Sequence, residues 1–186
     1  MEAVAEKLYS LEEYFAFCET HEGRFEFVDG EIIEMSGETI TANQIAGNIH
    51  FHLRRLLGTQ SYLFLQNATK VQVEKEKIFR IPDFFICEEK GNARLYSNSP
   101  LLIVEVLSES SGYTDRVIKL REYCSIASFQ YYLIVAQSAC YIELYRREGD
   151  RWYVEFYDKM DQTINLPFFK VGLPVSEIFE KVEFEN

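Results

Sequence analysis

Two short apolar runs, IPDFFI (81–86) and LLIVEVL (101–107), each carry one carboxylate where a buried strand has no place for it. The second run has the β-branched, two-faced apolar character of a strand covered on both sides, and Glu105 interrupts it. In the first, Asp83 follows Pro82 and precedes Phe84, Phe85 and Ile86. A carboxylate taken out of water costs several kcal/mol unless it is paired, protonated or bound to a cation. The connection between the runs is short enough for the two strands to be neighbours, which lets the acids converge. A divalent cation relieves that repulsion, since Mg²⁺ takes one or two carboxylates plus water and leaves positions for phosphate oxygens. The plainer alternative is that Asp83 caps a turn after Pro82 and that Glu105 forms an ordinary ion pair with Lys119 or Arg121.

Composition decides which kinds of chain can hold such a site. With 186 residues, of which 47% are hydrophobic and 15% aromatic, the chain buries a real core, reads as one domain over 1–186 and is neither disordered nor low in complexity. No apolar run approaches the roughly 20 residues of a membrane span, and MEAVAEKLYS has no signal-peptide pattern, so a cytoplasmic protein is expected. Cys18, Cys87, Cys124 and Cys140 show no CxxC spacing and sit mostly among apolar neighbours, as buried reduced thiols do. A zinc site or a disulfide framework is not expected.

The net charge of −11 would repel a polyanion unless basic side chains concentrate locally or metal ions intervene. Arg54-Arg55, Lys70 to Arg80, and Arg146-Arg147 with Arg151 are such clusters, or else solvated faces and protection for sheet edges.

Ser10 and Glu13 form a capping-box pattern that opens a short helix with Leu11, Tyr14, Phe15 and Cys18 on one stripe, ending by Gly23. Asp29-Gly30 between RFEFV and EIIEM predicts a tight hairpin. Helical spacing of Ile45, Ile49, Leu53, Leu56 and Leu57 predicts a long helix from Thr41 to Leu57, stopped by Gly58. Strands are expected at 62–66, 70–74, 83–87 and 101–107, and then at 131–136, 140–146 and 151–157, with a polar loop before Pro100. A second helix is expected over 114–127, capped by Thr114 and apolar along Val117, Leu120, Tyr123, Cys124 and Ala127, and a short one near VSEIFEKV.

Two further residues bear on the paired acids. Lys119, on the helix after the Glu105 strand, can point back to the same sheet end, where an ammonium orients water and neutralises charge on a phosphorane. Glu26 alternates with Phe25 and Phe27, again an acid in an apolar strand.

The ordered set of Pro82-Asp83, then E-V-L-S at Glu105 to Ser108, then D-x-x-x-K-x-x-x-Y at Asp115, Lys119 and Tyr123 resembles the PD-(D/E)XK nuclease superfamily, and within it the Uma family of small restriction endonucleases. The resemblance runs from RFEFVDGEIIEM to VSEIFEKVEF. It implies a restriction-endonuclease-like α/β fold, a mixed central sheet flanked by helices. It further implies Asp83 and Glu105 as ligands of Mg²⁺ or Mn²⁺, Lys119 assisting the attacking water from the helix rather than from the strand position of Leu107, and Glu26 supporting the metal or its waters. DNA is the implied substrate and a homodimer the implied assembly. The chain departs from the family pattern at Ile40 to Asn43, where relatives carry a histidine, at Gln130, and at Glu109 to Ser111, where Glu109 adds negative charge near the site. A nuclease fold without catalysis, acting in DNA or protein binding, is the alternative these departures leave open.

Other motifs carry less. His50 and His52 do not share a helix face and are expected to be partly buried without a metal. No Walker or Gly-x-Gly-x-x-Gly loop is present. The aromatic strands YYLIVA and RWYVEFY are expected to serve the core and the sheet edge rather than to stack bases.

Overall fold

The computed structural model describes residues 7–66, 68–88, 94–107 and 112–184. Glu109 and the neighbouring Ser108, Ser110 and Ser111 lie outside them.

Local signals set most of the elements. Helix α1 (Leu11–Thr20) begins at the Ser10–Glu13 capping box. Strands β1 (Phe25–Val28) and β2 (Glu31–Glu34) join through Asp29 and Gly30, both at positive φ (49° and 95°), as a two-residue hairpin turn requires. Helix α2 (Ile40–Leu57) is capped by Thr39, whose hydroxyl accepts from the Ala42 amide, and ends on Gly58 at φ 69°. Then come β3 (Tyr62–Gln66), β4 (Lys70–Glu74), β5 (Ile78–Arg80), β6 (Phe84–Glu88), β7 (Tyr96–Ser97) and β8 (Pro100–Leu107). A π-helical segment, Thr114–Lys119, runs into α3 (Leu120–Cys124). The chain continues with β9 (Tyr131–Ala136), β10 (Ile142–Glu148), β11 (Arg151–Tyr157), β12 (Thr163–Leu166), β13 (Val171–Pro174) and α4 (Val175–Ile178).

The central sheet has six strands in the order β11-β10-β9-β8-β6-β3, with β8 and β9 parallel and the other pairs antiparallel. This is the expected mixed sheet, and β8 lies in its interior. All of β8 is buried because both faces are covered. One face, with Phe84, Ile86, Leu102, Val104 and Val106, packs against Ile45, Ile49 and Leu53 of α2. The other, with Phe85, Ile103 and Leu107, packs against Tyr123, Ile126 and Phe129. Glu105 and Asp83 share the odd-numbered parity of this second face.

A second sheet, β2-β1-β5-β4-β7, carries α1 on a core of Tyr14, Phe25, Phe27 and Phe79. Alternation along β1 and β5 therefore turns Glu26 and Arg80 to the opposite side. Strands β5 and β7, and the hairpin β12–β13, were not expected from sequence. They are two to four residues long and gain their stability from long-range pairing rather than from local pattern.

The second helix is the main correction. Thr114 does not cap it: the preceding Tyr113 is already helical, and the wide turn that follows places Asp115 and Lys119 inward while Val117, expected on the apolar stripe, is 49% exposed. Ala127 is exposed beyond its end. Of the four cysteines only Cys87 is fully buried, and none forms a disulfide. Strand β9 is core, whereas the edge strand β11 leaves Tyr153, Val154 and Phe156 exposed. No helix among the described residues is long and apolar enough to cross a membrane.

At the C-terminal end, the buried Asn48 carboxamide of α2 donates to the Ile178 carbonyl at 3.0 Å and to the Glu180 carbonyl at 2.9 Å. Asn48→Ala should cost about 1–3 kcal/mol by leaving those carbonyls unpaired. Denaturant unfolding measures it, and a loss below about 0.5 kcal/mol would mean that water replaces the carboxamide.

Candidate active site

The register of β6 against β8 pairs Phe84 with Val104 and Phe85 with Ile103, so one step further Asp83 stands beside Glu105. The two acids thus meet because two strands that are close in sequence pair antiparallel. β6 has ended at that point, and the Val106 amide donates instead to the Asp83 carboxylate, at 2.7 Å.

Lys119 reaches the pair from the helix. Its ammonium lies 3.0 Å from Glu105 Oε1, 3.2 Å from Asp115 Oδ1 and 3.5 Å from Glu26 Oε1, and all four side chains are nearly inaccessible. Tyr123, one turn on, donates its hydroxyl to the same Glu105 oxygen at 3.1 Å. The spacing Asp115, Lys119, Tyr123 keeps one face of the helix on the sheet.

Glu26 is held one layer further in. Arg80 donates to its Oε2 at 2.7 Å and the Ile81 amide to its Oε1 at 3.1 Å, while Arg80 also grips both oxygens of Glu122 on α3 at 2.8 and 2.7 Å. The β1–β5 register, Phe27 with Phe79, sets Glu26 opposite Arg80. The structure therefore brings Glu26, Asp83, Glu105 and Lys119 together, with Glu26 touching the centre through Lys119.

A cavity of about 90 Å³ opens at this end of the sheet. Asp83, Glu105, Asp115 and Lys119 line it, and Arg24, Ser36, Glu38, Thr39 and Gln137 form the rest of its polar wall. Gln137 ties the wall together, donating to the Leu107 carbonyl at 2.9 Å and accepting from Thr39.

Burial pushes the Asp83 carboxyl up to about 6; Glu38 and Asp115 add to that rise, while the Val106 amide and Lys119 oppose it. Burial also raises the Glu105 carboxyl well above the usual range, with Lys119 opposing and the neighbouring acids adding to it. For Lys119, burial works against the charged form, but Glu105, Glu26 and Asp115 outweigh it and hold the side chain as an ammonium.

Five carboxylates (Glu26, Asp83, Glu105, Asp115 and Glu122) thus face two cations, Arg80 and Lys119. Asp115 Oδ1 is buried and, beyond its ion pair with Lys119, has no hydrogen bond. This donor set suits a hard divalent cation in charge and in oxygen chemistry. Among the described residues no three His, Cys, Asp or Glu side chains already stand at ligand spacing. A divalent ion here would draw on Asp83 and Glu105 and would need oxygens from outside the chain to complete its shell.

The family model "Uma2: Putative restriction endonuclease" matches residues 11–176. The chain belongs to this family. Two curated relatives from Synechocystis sp. (strain ATCC 27184 / PCC 6803 / Kazusa) cover nearly the whole family unit. Uncharacterized protein sll1609 is 26% identical over 170 residues, 89% of this chain and 96% of that one. Uncharacterized protein slr1290 is 26% identical over 178 residues, 94% and 93% respectively. Among solved structures, that of "a putative nuclease belonging to DUF820" from Anabaena variabilis ATCC 29413 superposes with a TM-score of 0.70 at 16% identity, covering 91% of this chain and 97% of the other. The family and this likeness agree on a restriction-endonuclease-like fold.

Sequence reasoning overlooked Arg80, reading it as part of a surface basic cluster, although a charge inside IFRIP is the same kind of signal as Glu105 in LLIVEVL. Glu38, Thr39 and Gln137 carried no such signal, because loops rather than strand alternation bring them to the cavity. His50 and His52 lie outside the site: His52 is buried between Glu177 and Glu180, and His50 stacks on Phe84.

Asp83 gives the folded chain a pH dependence. Its carboxyl, ordinarily at 3.8, titrates at about 6 when folded, so the folded state holds the proton longer and stability falls as pH rises through that window. In chelator, Asp83→Asn should raise stability above about pH 7 by up to about 3 kcal/mol, and the gain should vanish near about pH 4. Thermal melts across that range check this. A gain that does not vary with pH would show that the carboxylate is not what costs stability.

Proposed function

We propose that this family member is a Mg²⁺- or Mn²⁺-dependent endodeoxyribonuclease. The observation that carries the reading is the convergence of Asp83, Glu105 and Lys119 around one cavity at the ends of paired strands. Asp83 and Glu105 would hold the ion, which supplies charge neutralisation on the phosphoryl oxygens and a more acidic bound water.

The chain's own residues do the rest. Lys119, held as an ammonium by Glu105, Asp115 and Glu26, acts as a hydrogen-bond donor that orients the attacking water and balances charge building on the phosphorane. It does not serve as the base. Glu26 fixes Lys119 from behind and is itself fixed by Arg80 and the Ile81 amide. Water attacks phosphorus in line with the departing 3′ oxygen; the new P–O bond forms as the P–O3′ bond breaks, the water's proton passes to solvent at the cavity mouth, and the leaving oxygen takes up a proton from solvent to become the 3′ hydroxyl. A homodimer, offering one site per DNA strand, completes the proposal, and the exposed Tyr153, Val154 and Phe156 on the edge strand β11 support it.

Two measurements test the reading. Mg²⁺ or Mn²⁺ should raise the melting temperature of the wild type, and Asp83→Ala or Glu105→Ala should abolish that response. No response in the wild type would leave a non-catalytic nuclease fold as the better description. Nicking of supercoiled plasmid should require metal and fall by about 100-fold or more in Lys119→Ala. Equal nicking by that variant would mark a contaminant.

A further inference from the structure

The segment from Met35 to Thr39, between β2 and α2, forms one side of the cavity mouth. Within it Glu38 is gripped through both carboxylate oxygens: Oε1 accepts from Arg24 Nη1, and Oε2 accepts from the Asn43 carboxamide at 3.3 Å. Arg24 is steadied by a second bond, Nη2 to the Ser36 carbonyl at 2.8 Å. The grip sits at the N-terminus of the 18-residue α2, whose first turn contains no acid and whose dipole favours an anion there.

Arg24 lies immediately ahead of β1. It stands two residues before Glu26, so alternation turns both away from the α1 core and toward the site. Arg24 and Lys119 are the cationic side chains among the described residues lining the cavity, and Lys119 is committed to three carboxylates. Arg24 and Glu38 keep side-chain exposures of 20% and 23%, so solvent and solutes reach them. A guanidinium fork, a carboxamide and a helix N-terminus are the groups that recognise a phosphate. Here they close on the chain's own carboxylate, next to Asp83.

We propose that Arg24, Asn43 and the N-terminus of α2 form a subsite for a backbone phosphodiester of the nucleic-acid substrate, and that Glu38 occupies this subsite until the substrate displaces it. The proposal rests on the nuclease reading above. It gives the acidic chain a local anion receptor and makes Glu38 a competitor for it. Glu38→Gln weakens the competitor by removing its charge while keeping a hydrogen-bonding side chain in place. Arg24→Gln removes the receptor.

Binding of a fluorescent DNA duplex, with Ca²⁺ in place of Mg²⁺ to slow turnover, reads this directly. Glu38→Gln should tighten binding at least about threefold and Arg24→Gln should weaken it about tenfold, with Arg24→Lys in between. The gain from Glu38→Gln should disappear in the Arg24→Gln background, because there is then no receptor to release. Each variant should still show a cooperative melt and a metal-induced thermal shift, which reports that it is folded, with the size of the shift free to change where Glu38 no longer places its charge near Asp83. A Glu38→Gln affinity within a factor of two of wild type, or an equal gain with and without Arg24, overturns the subsite. If the wild type shows neither a metal shift nor DNA binding, the nuclease reading itself fails and takes the subsite with it. If Arg24→Gln does not fold, the pair Arg24→Lys and Arg24→Lys with Glu38→Gln carries the same comparison.

Discussion

A buried ammonium organises this fold. Lys119 is surrounded by Glu105 from the central sheet, Glu26 from the second sheet and Asp115 from its own helix. Without it, carboxylates would converge in a medium that penalises each of them, and without them the ammonium would lose its proton. Each side is tolerable because of the other. Arg80 repeats the arrangement one layer out, joining Glu26 on β1 to Glu122 on α3. The two sheets and the helix are thus joined through Lys119, which lines the cavity, and through Arg80, which lies behind it, and removing one partner of such a buried set typically costs about 3–5 kcal/mol. The proposed chemistry and the cohesion of this end of the molecule draw on the same ion pairs.

The remainder of the molecule is ordinary by comparison, and the sequence shows why. Wherever one local rule decides the structure, reading it from the residues works: the Ser10–Glu13 box, the Asp29-Gly30 turn and the Gly58 stop are all where pattern places them. The acids at 26, 83 and 105 were legible for a related reason. A charge inside an apolar strand is improbable without a partner, so the position itself announces a site. Arg80 obeyed the same rule, and only its membership of a run of basic residues hid it. What pattern does not carry is the assembly of loops. Glu38, Thr39 and Gln137 meet because β2 hands the chain to α2 just beside the end of β9, a fact of topology rather than of composition.

The π-helical stretch explains the one helix that was misjudged. Its i→i+5 turns are wider than those of an α-helix, and such segments recur at functional sites. An α-helical stripe through Val117 would have buried an apolar row. The wide turn exposes Val117 instead and brings Asp115 and Lys119 onto the sheet, ahead of Tyr123. The chain gives up apolar burial to aim two charges.

That choice also accounts for where the lysine resides. Leu107 shares the face of Glu105 on β8 and is buried in the core made with Tyr123, Ile126 and Phe129. A lysine on the strand at that position would break this core. Coming from the helix, Lys119 reaches Glu105 across the gap between the layers and leaves the strand apolar. The geometry of the acid–lysine pair therefore depends on how the helix seats against the sheet, through the Tyr123–Glu105 hydrogen bond and the packing of Phe129 on Tyr123 and Tyr132, and not on strand register alone.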